Sequence, residues 1–384
     1  MTQYSGAKNE EGMQQALRFK LIMGGMAIAL YLFVCMGIPR QILGLMVIGN
    51  SQADLILEQS QQYMFLMGYM GLPVLISSAI ASSLREIGQV KAPLVISILA
   101  TCINTFLNWV LIYGNLGAPR LEVRGAAYAT IAARCVEMTL FLILLVVKKP
   151  PFAFKLHTLF RIDFKLFVRI LQKGSMMLGS EMLWVISETV TTALYNGRGG
   201  ADVVSGMASS FAIANLFFVS FGGITTATGV IIGQSLGSGD LEEAKRQKNW
   251  MLMAALIFGI FMGVMGMLTR FLIPIVFANL STSAQAICDS MVMMMSLFMP
   301  VWVYVNAQFA VSRAGGDTMM GMLVDGVTTI VLILPGIFFI ALCTNLGPVM
   351  MYFMVKSVDF IKVIFAHLWL KKERWVKNLA VVTE

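Results

Sequence analysis

The sequence predicts an all-α, polytopic membrane protein built as two pseudo-symmetric lobes, and three observations predict it. Hydrophobic residues make up 58% of the 384-residue chain and charged residues 12%, with a mean hydropathy of +0.79. No ordinary water-soluble globule has that balance. Apolar runs of about 20 residues recur, each long enough as a helix to cross a hydrocarbon core of about 30 Å. They are continuously apolar instead of alternating, which excludes a membrane barrel. Third, the chain repeats itself. Residues 3–20 (QYSGAKNEEGMQQALRFK) and 233–248 (GQSLGSGDLEEAKRQK) both run from Gln through small residues and Gly to Asn or Asp, Glu, Ala and basic residues. LREIG at 84–88 answers SRAGG at 312–316, and Asn115-Leu116-Gly117 answers Asn345-Leu346-Gly347, all at a spacing of roughly 230 positions. Repeats of several spans mark secondary transporters, whose substrate route runs between the halves.

Taken in order, residues 1–19 are a polar lead-in. Ten spans are predicted, at 20–48, 60–83, 92–113, 125–147, 174–196, 204–233, 249–277, 288–312, 319–342 and 347–370. They group into an N-lobe of four helices (1–147), a linker (148–173), a C-lobe of six helices (174–370) and a tail (371–384). In the linker, Phe, Leu and Ile alternate with Lys and Arg at helical spacing after Pro150-Pro151, which predicts an interfacial helix. In the second half two spans precede GQSLGSGD, whereas only Met1 and Thr2 precede Gln3. Internal symmetry therefore leads one to expect a first lobe short of two helices, through a shortened chain or a misplaced start.

The formal charge of +8 points to topology and away from nucleic acid. Lys148, Lys149, Lys155, Arg161, Lys165, Arg169 and Lys173 crowd the linker beside one acid, Asp163, and Lys371, Lys372, Arg374 and Lys377 close the chain. The opposite loops carry only Arg120, Arg124 and Arg198. This asymmetry places the linker and both termini in the cytoplasm of a multi-pass protein of the plasma (inner) membrane. Cys35, Cys102, Cys135, Cys288 and Cys343 lie in or beside apolar runs without metal-ligand spacing and read as small hydrophobes. Met1 opens onto a polar stretch, so no cleavable signal peptide is predicted.

Several stretches resemble the multidrug and toxic compound extrusion (MATE) transporters. They are GSEMLWVISETVTTALYNGRGG (179–200), FGGITTATGVIIGQSLGSGDLEEA (221–244), SRAGGDTMMGMLVDGVTTIVLILPG (312–336), LREIGQVKAPLVISILATCINTFLNWVLIYGNLGAP (84–119) and KSVDFIKVIFAHLWLKKERWVKNL (356–379). The resemblance implies two lobes around a central cavity and the exchange of H⁺ or Na⁺ for organic, often cationic, compounds. It also implies that the chain begins at the family's loop between helices 2 and 3, without the aspartate that some members use on helix 1. In the family motif, Glu181 and Asp325 match positions that members carry. Asn104 and Asn108 stand where members have Asn and then Asp or Asn.

Ionisable groups inside apolar spans are costly and face a bundle interior or a cavity. Glu181 and Glu188, seven residues apart, share a helix face about 10 Å apart with Trp184 between them and Thr192 one turn on. Such a carboxylate pair beside an aromatic ring fits a coupling cation, a proton or a cationic planar substrate. The competing reading is structural, with each carboxylate serving a basic or hydroxyl neighbour. Asp325 is the third coupling candidate, with a structural role beside Arg313 as its competitor. Asn104 and Asn108, at i and i+4, offer amides to a ligand or to a neighbouring helix. Asn215, Asn306 and Gln308 are further polar candidates. Arg134 and Glu137 read as a structural ion pair, and Asp317 as a turn residue. The Pro and Gly residues inside spans (Pro39, Pro73, Pro300, Pro335, Gly222-Gly223) predict bends or close packing.

No GxxxxGK[ST] loop or HExxH occurs, and His157 and His367 lie far apart, so a primary pump and a membrane enzyme are disfavoured. The expectation is a cation-coupled antiporter exporting organic solutes, with no cofactor beyond the coupling ion (H⁺ or Na⁺). Its partners are small organic substrates and the lipid bilayer, with no nucleic acid and no obligate protein partner. The alternatives are a transport-inactive fragment of such a protein or a flippase for lipid-linked substrates. A flippase calls for several cavity-facing cations, where the spans offer little beyond Arg134, Lys356 and Lys362.

Overall fold

The computed structural model describes residues 1–46, 53–154, 158–161 and 163–380. Lys155, His157 and the side chain of Arg169 lie outside the described residues. Among these, every regular element is helical. The chain forms two compact units. One comprises Asn9–Phe164 with Met1; the other comprises Lys165–Glu384 with Thr2–Lys8. The short helix α1 (Thr2–Gly6) thus belongs to the second unit, although the repeat assigns it to the first lobe.

In the first unit, α2 (Glu10–Leu32) starts where Asn9 Oδ1 accepts the Gly12 N–H at 2.8 Å, with Glu10 and Glu11 in its first turn. A π-helical turn, Phe33–Gly37, follows. Ile38 leaves the helical region, and α3 (Pro39–Met46) restarts at a residue with no N–H to give. Helices α4 (Ala53–Gly68) and α5 (Gly71–Glu86) meet at a 50° bend between Gly68 and Gly71. Helix α6 (Lys91–Tyr113) stops at Gly114, which is left-handed at φ 76°. Helix α7 (Glu122–Lys148) packs back on α6 so closely that a Cβ at Gly125 would sit 2.6 Å from the Leu111 carbonyl oxygen.

The linker departs from expectation. Residues 150–154 and 158–161 form turns and loop, and helix begins only at Phe164. No separate interfacial helix stands among the described residues. Nothing breaks the helical pattern after Asp163, so its basic, aromatic second part becomes the first turns of α8 (Phe164–Asn196).

The second unit continues with α9 (Ala201–Ser238), α10 (Leu241–Thr269), a 3₁₀ turn and α11 (Ile273–Val276), then α12 (Thr282–Ala314). Two π-helical stretches, Gly321–Val327 and Thr329–Ile333, lead into α13 (Leu334–Cys343). Pro335 just beyond them has no N–H to close an α-turn. The last predicted span is broken at Ser357 into α14 (Pro348–Lys356) and α15 (Val358–Leu370).

Seven helices among the described residues are long and apolar enough to cross a membrane, or eight with the bent pair α4/α5 taken as one span. The predicted spans at 174–196 and 347–370 are helical as well but fall outside that measure. The first is diluted by Ser, Thr, Gly and two glutamates, and the second is interrupted. Gly222-Gly223 and Pro300 lie within the continuous helices α9 and α12, and Pro300 is one of the close-packing points expected, facing Gly259 of α10.

The core of this unit lies where α9 and α10 flank α12, with Leu252, Ala255, Val303, Ala307 and Val311 buried together. A glycine stripe on α10 permits the approach. A Cβ at Gly259 would lie 2.7 Å from Pro300 Cα, and one at Gly263 would lie 2.7 Å from the Ser296 carbonyl oxygen.

The repeat is visible in local geometry. Asp240 Oδ1 accepts the Glu243 N–H at 3.0 Å at the start of α10, as Asn9 does for α2. The preceding residues, Lys8 and Gly239, are both left-handed. Gln89 N–H donates to Leu84 O at 2.9 Å and Asp317 N–H to Ser312 O at 3.0 Å, closing the same glycine turn in both copies. The third pair diverges: Asn115–Gly117 is a 3₁₀ turn, whereas Gly347 caps α14 in extended conformation.

Helix α1 packs on its own counterpart, the end of α9, and does so reciprocally. A Cβ at Gly6 would collide with the Gln234 carbonyl, and one at Gly237 with that of Gln3. The Gln3 amide nitrogen donates to Ala314 O (2.7 Å) and Lys377 O (3.1 Å), while its oxygen accepts the Leu379 N–H at 2.5 Å. Gln3→Ala strands these backbone groups and is expected to cost about 1–3 kcal/mol, read as a fall in the denaturation midpoint of the purified protein.

Candidate functional site

Helices α8, α9, α12, α14 and α15 and the π-helical stretch enclose a cavity of about 340 Å³ within the second unit. Each wall delivers its charges for a local reason. On α8 the seven-residue spacing puts Glu181, Trp184 and Glu188 into one lining face, as the sequence predicts. Asp325 enters from the π-helical stretch, and Asn306 from α12, where its amide donates to Trp302 O at 2.9 Å. Lys356 at the end of α14 and Asp359 and Lys362 on α15, three residues apart, share one face and reach the same space.

These charges are paired. Arg313 Nη2 lies 3.3 Å from Glu181 Oε1, and Lys356 Nζ bonds to Glu188 Oε1. Lys362, whose side chain is 7% exposed, sits between two aspartates. Its Nζ is 2.7 Å from Asp325 Oδ1 and 3.1 Å from Asp359 Oδ1. Trp302 Nε1 donates to the other Asp359 oxygen at 2.8 Å. Arg313 therefore pairs with Glu181, not with Asp325. Aromatic rings fill the remaining wall: Trp302 is stacked on Phe298 at 5.7 Å and meets Phe218 edge-on at 5.8 Å. Lys356 also stands 5.6 Å from the Tyr352 ring centre.

Four carboxylates face three cations across this cavity. Two pairs are balanced; the Asp325–Lys362–Asp359 group carries one negative charge in excess. The site can hold one further positive charge, with aromatic faces beside it for an organic cation.

Other predicted residues fall elsewhere. Thr192 on α8 and the exposed Asn215 on α9 are not in the lining. Asp317 accepts Trp369 Nε1 at 2.8 Å. Asn104 and Asn108 lie in the first unit, where Asn108 Nδ2 donates to Asn104 Oδ1 within α6 (3.1 Å) and only Asn104 bonds across helices, from Nδ2 to Thr130 Oγ1 on α7 (3.4 Å). Arg134 and Glu137 form an ion pair at 2.7 Å, with Ser97 Oγ donating to Glu137 at 3.3 Å. The first unit has its own open cavity of about 620 Å³, lined by Glu58, Gln61, Gln62 and Arg124, without those asparagines.

Asp359 and Trp302 are residues that sequence reasoning missed, and Lys362, named only among the few cations within the spans, was not joined to the carboxylates of this site. The signal was present: Lys356, Asp359 and Lys362 recur every three residues in an apolar stretch, the same costly placement that singled out Glu181.

A family model described as MatE matches residues 1–110 and 177–339. A probable multidrug resistance protein NorM of Geobacillus kaustophilus is 25% identical over 236 residues, 60% of this chain and 51% of that protein. One from Halalkalibacterium halodurans is 23% identical over 264 residues, 67% of this chain and 57% of that protein. The chain thus spans about half the length of the curated relatives it matches. Among solved structures, the outward-facing conformation of a multidrug resistance MATE family transporter superposes with a TM-score of 0.83 at 16% identity, covering 97% of this chain and 81% of that one.

Proposed function

The chain belongs to the MATE family, and on that premise we propose that it is a cation-coupled antiporter exporting organic, positively charged compounds by alternating access. The observation that carries the reading is the charge balance of the cavity in the second unit, one negative charge in excess across seven ionisable groups. A single H⁺ or Na⁺ restores neutrality, and so does a monovalent organic cation. Both together overshoot. At 4 Å a pair of like unit charges repels by about 4 kcal/mol at an effective dielectric near 20, enough for the two ligands to exclude one another. Mutual exclusion at one site, with each ligand favouring a different conformation, is what exchange requires.

Glu181 stands at the opening, its side chain 58% exposed, and is read as the residue that admits the cation. Glu188 and Asp325 lie deeper, at 27% and 19%. Glu181→Gln makes the cavity neutral overall and leaves Arg313 without its carboxylate. Efflux of ethidium from cells expressing the variant is expected to fall about tenfold or more, equivalent to about 1.4 kcal/mol, with membrane insertion unchanged. Unaltered efflux would refute the assignment.

The same reading places the protein in the cell membrane with both termini in the cytoplasm, supported by the basic residues of the linker and tail. A cysteine introduced at Lys245 is expected to be protected in intact cells from a membrane-impermeant thiol reagent. Labelling there would invert the topology.

A further inference from the structure

Lys362 occupies the place a coupling ion would take. Its ammonium lies within hydrogen-bond distance of two carboxylates, Asp325 at 2.7 Å and Asp359 at 3.1 Å, and is shut off from solvent. The second Asp359 oxygen is held by Trp302, which fixes that carboxylate toward the lysine. The ammonium comes from α15, Asp325 from the π-helical stretch and Trp302 from α12. Three elements therefore converge on one positive charge. The other charged groups of the cavity, Glu181 with Arg313 and Glu188 with Lys356, are matched pairs and do not compete for it.

We propose that Lys362 is a tethered cation that fills the site between Asp325 and Asp359, so that this site admits a proton but no metal cation. The inference rests on reading the cavity as the coupling site. A proton needs no room of its own, since it attaches to a carboxylate oxygen already present. A Na⁺ ion needs oxygens on several sides, and here the ammonium stands between the two carboxylates that would supply them. Charge reinforces the geometry, because a metal ion at the aspartates would lie against the ammonium, a like charge at short range. Lys362 is in this sense a specificity-determining residue: its length and charge choose the ion.

The test measures ion binding directly and needs no transport. Purified protein in detergent is equilibrated with radioactive sodium above neutral pH, where protons compete least, with choline keeping the ionic strength constant. The wild-type chain is expected to bind no sodium that depends on Asp325. Lys362→Gln, which vacates the site, is expected to bind about one sodium per chain, and Lys362→Gln/Asp325→Asn to lose it. Sodium should also raise the melting temperature of Lys362→Gln by about 2–4 °C over choline when present at about ten times its dissociation constant. Asp325-dependent sodium binding by the wild type overturns the proposal, as does a Lys362→Gln protein that binds none. A variant that stays unfolded in sodium as in choline overturns it too, because a filled site restores the missing charge. Should ethidium efflux prove absent while sodium binds as expected, the antiport reading fails and the site assignment stands.

Discussion

Lys362→Met is expected to destabilise the protein by about 3–5 kcal/mol in sodium-free buffer, the cost of leaving a buried charge without its partner. The change leaves Asp325 and Asp359 facing each other with no ammonium between them, and both carboxylates have little access to water. Burial of the methionine stem recovers only part of this loss, since the lysine methylenes already fill that volume. A double-mutant cycle separates charge from packing. Lys362→Met/Asp359→Asn restores the net charge of the group, and its amide oxygen still accepts the Trp302 N–H. It should therefore regain more than half of the lost stability in chemical denaturation. If the double variant is as unstable as the single one, the loss is one of packing and the charge argument fails.

Gly263→Leu is the second large effect. Position 263 on α10 faces the Ser296 carbonyl of α12, with Pro300 and Met299 beside it. The obstacle is backbone, which cannot swing aside as a side chain can. Overpacking of this kind costs about 1–3 kcal/mol and sometimes more, and at this seam it forces apart two helices of the unit's core. The comparison is Gly229 on α9, where nothing lies within 4 Å of an added Cβ. Gly229→Ala is expected to be neutral or to stabilise by about 0.5–1 kcal/mol through helix propensity alone. Folded yield after size-exclusion chromatography reads both. Equal behaviour of the two variants would mean that the glycine stripe does not set the helix approach.

The sequence carries the architecture because membrane burial is a local property. A run of apolar residues commits its stretch to a helix whatever else the chain does, since backbone groups must bond within the segment. The likeness of 84–88 to 312–316, and Asp317 as a turn residue, were legible for the same reason: the turn that both copies form closes on itself. Helix α1 was not. Its sequence matches the end of α9, but the match does not say that the two copies pack on each other, nor that Gln3 reaches Ala314 and Lys377. That contact spans more than 300 residues and has no periodic signal.

The cavity was half legible. Glu181, Trp184 and Glu188 lie on one helix, so spacing alone aligns them. Asp325 and Lys362 come from separate elements, and only the packing of α15 against the π-helical stretch brings Lys362 and Asp359 beside Asp325. The competitor expected for Asp325, Arg313, serves Glu181 instead. Flat charge counting along the chain cannot assign such partners, because Arg313 and Glu181 lie on different helices and 132 residues apart.

The π-helical stretches that carry Asp325 have one more consequence. A π-turn holds one residue more than the α-turn it replaces, and each such insertion rotates the residues beyond it around the helix axis by about 100°, the angular step of an α-helix. Asp325 lies inside the first insertion and Pro335 follows the second, so Asp325 faces Lys362 from an azimuth that an uninterrupted α-helix continuing back from α13 would not give it.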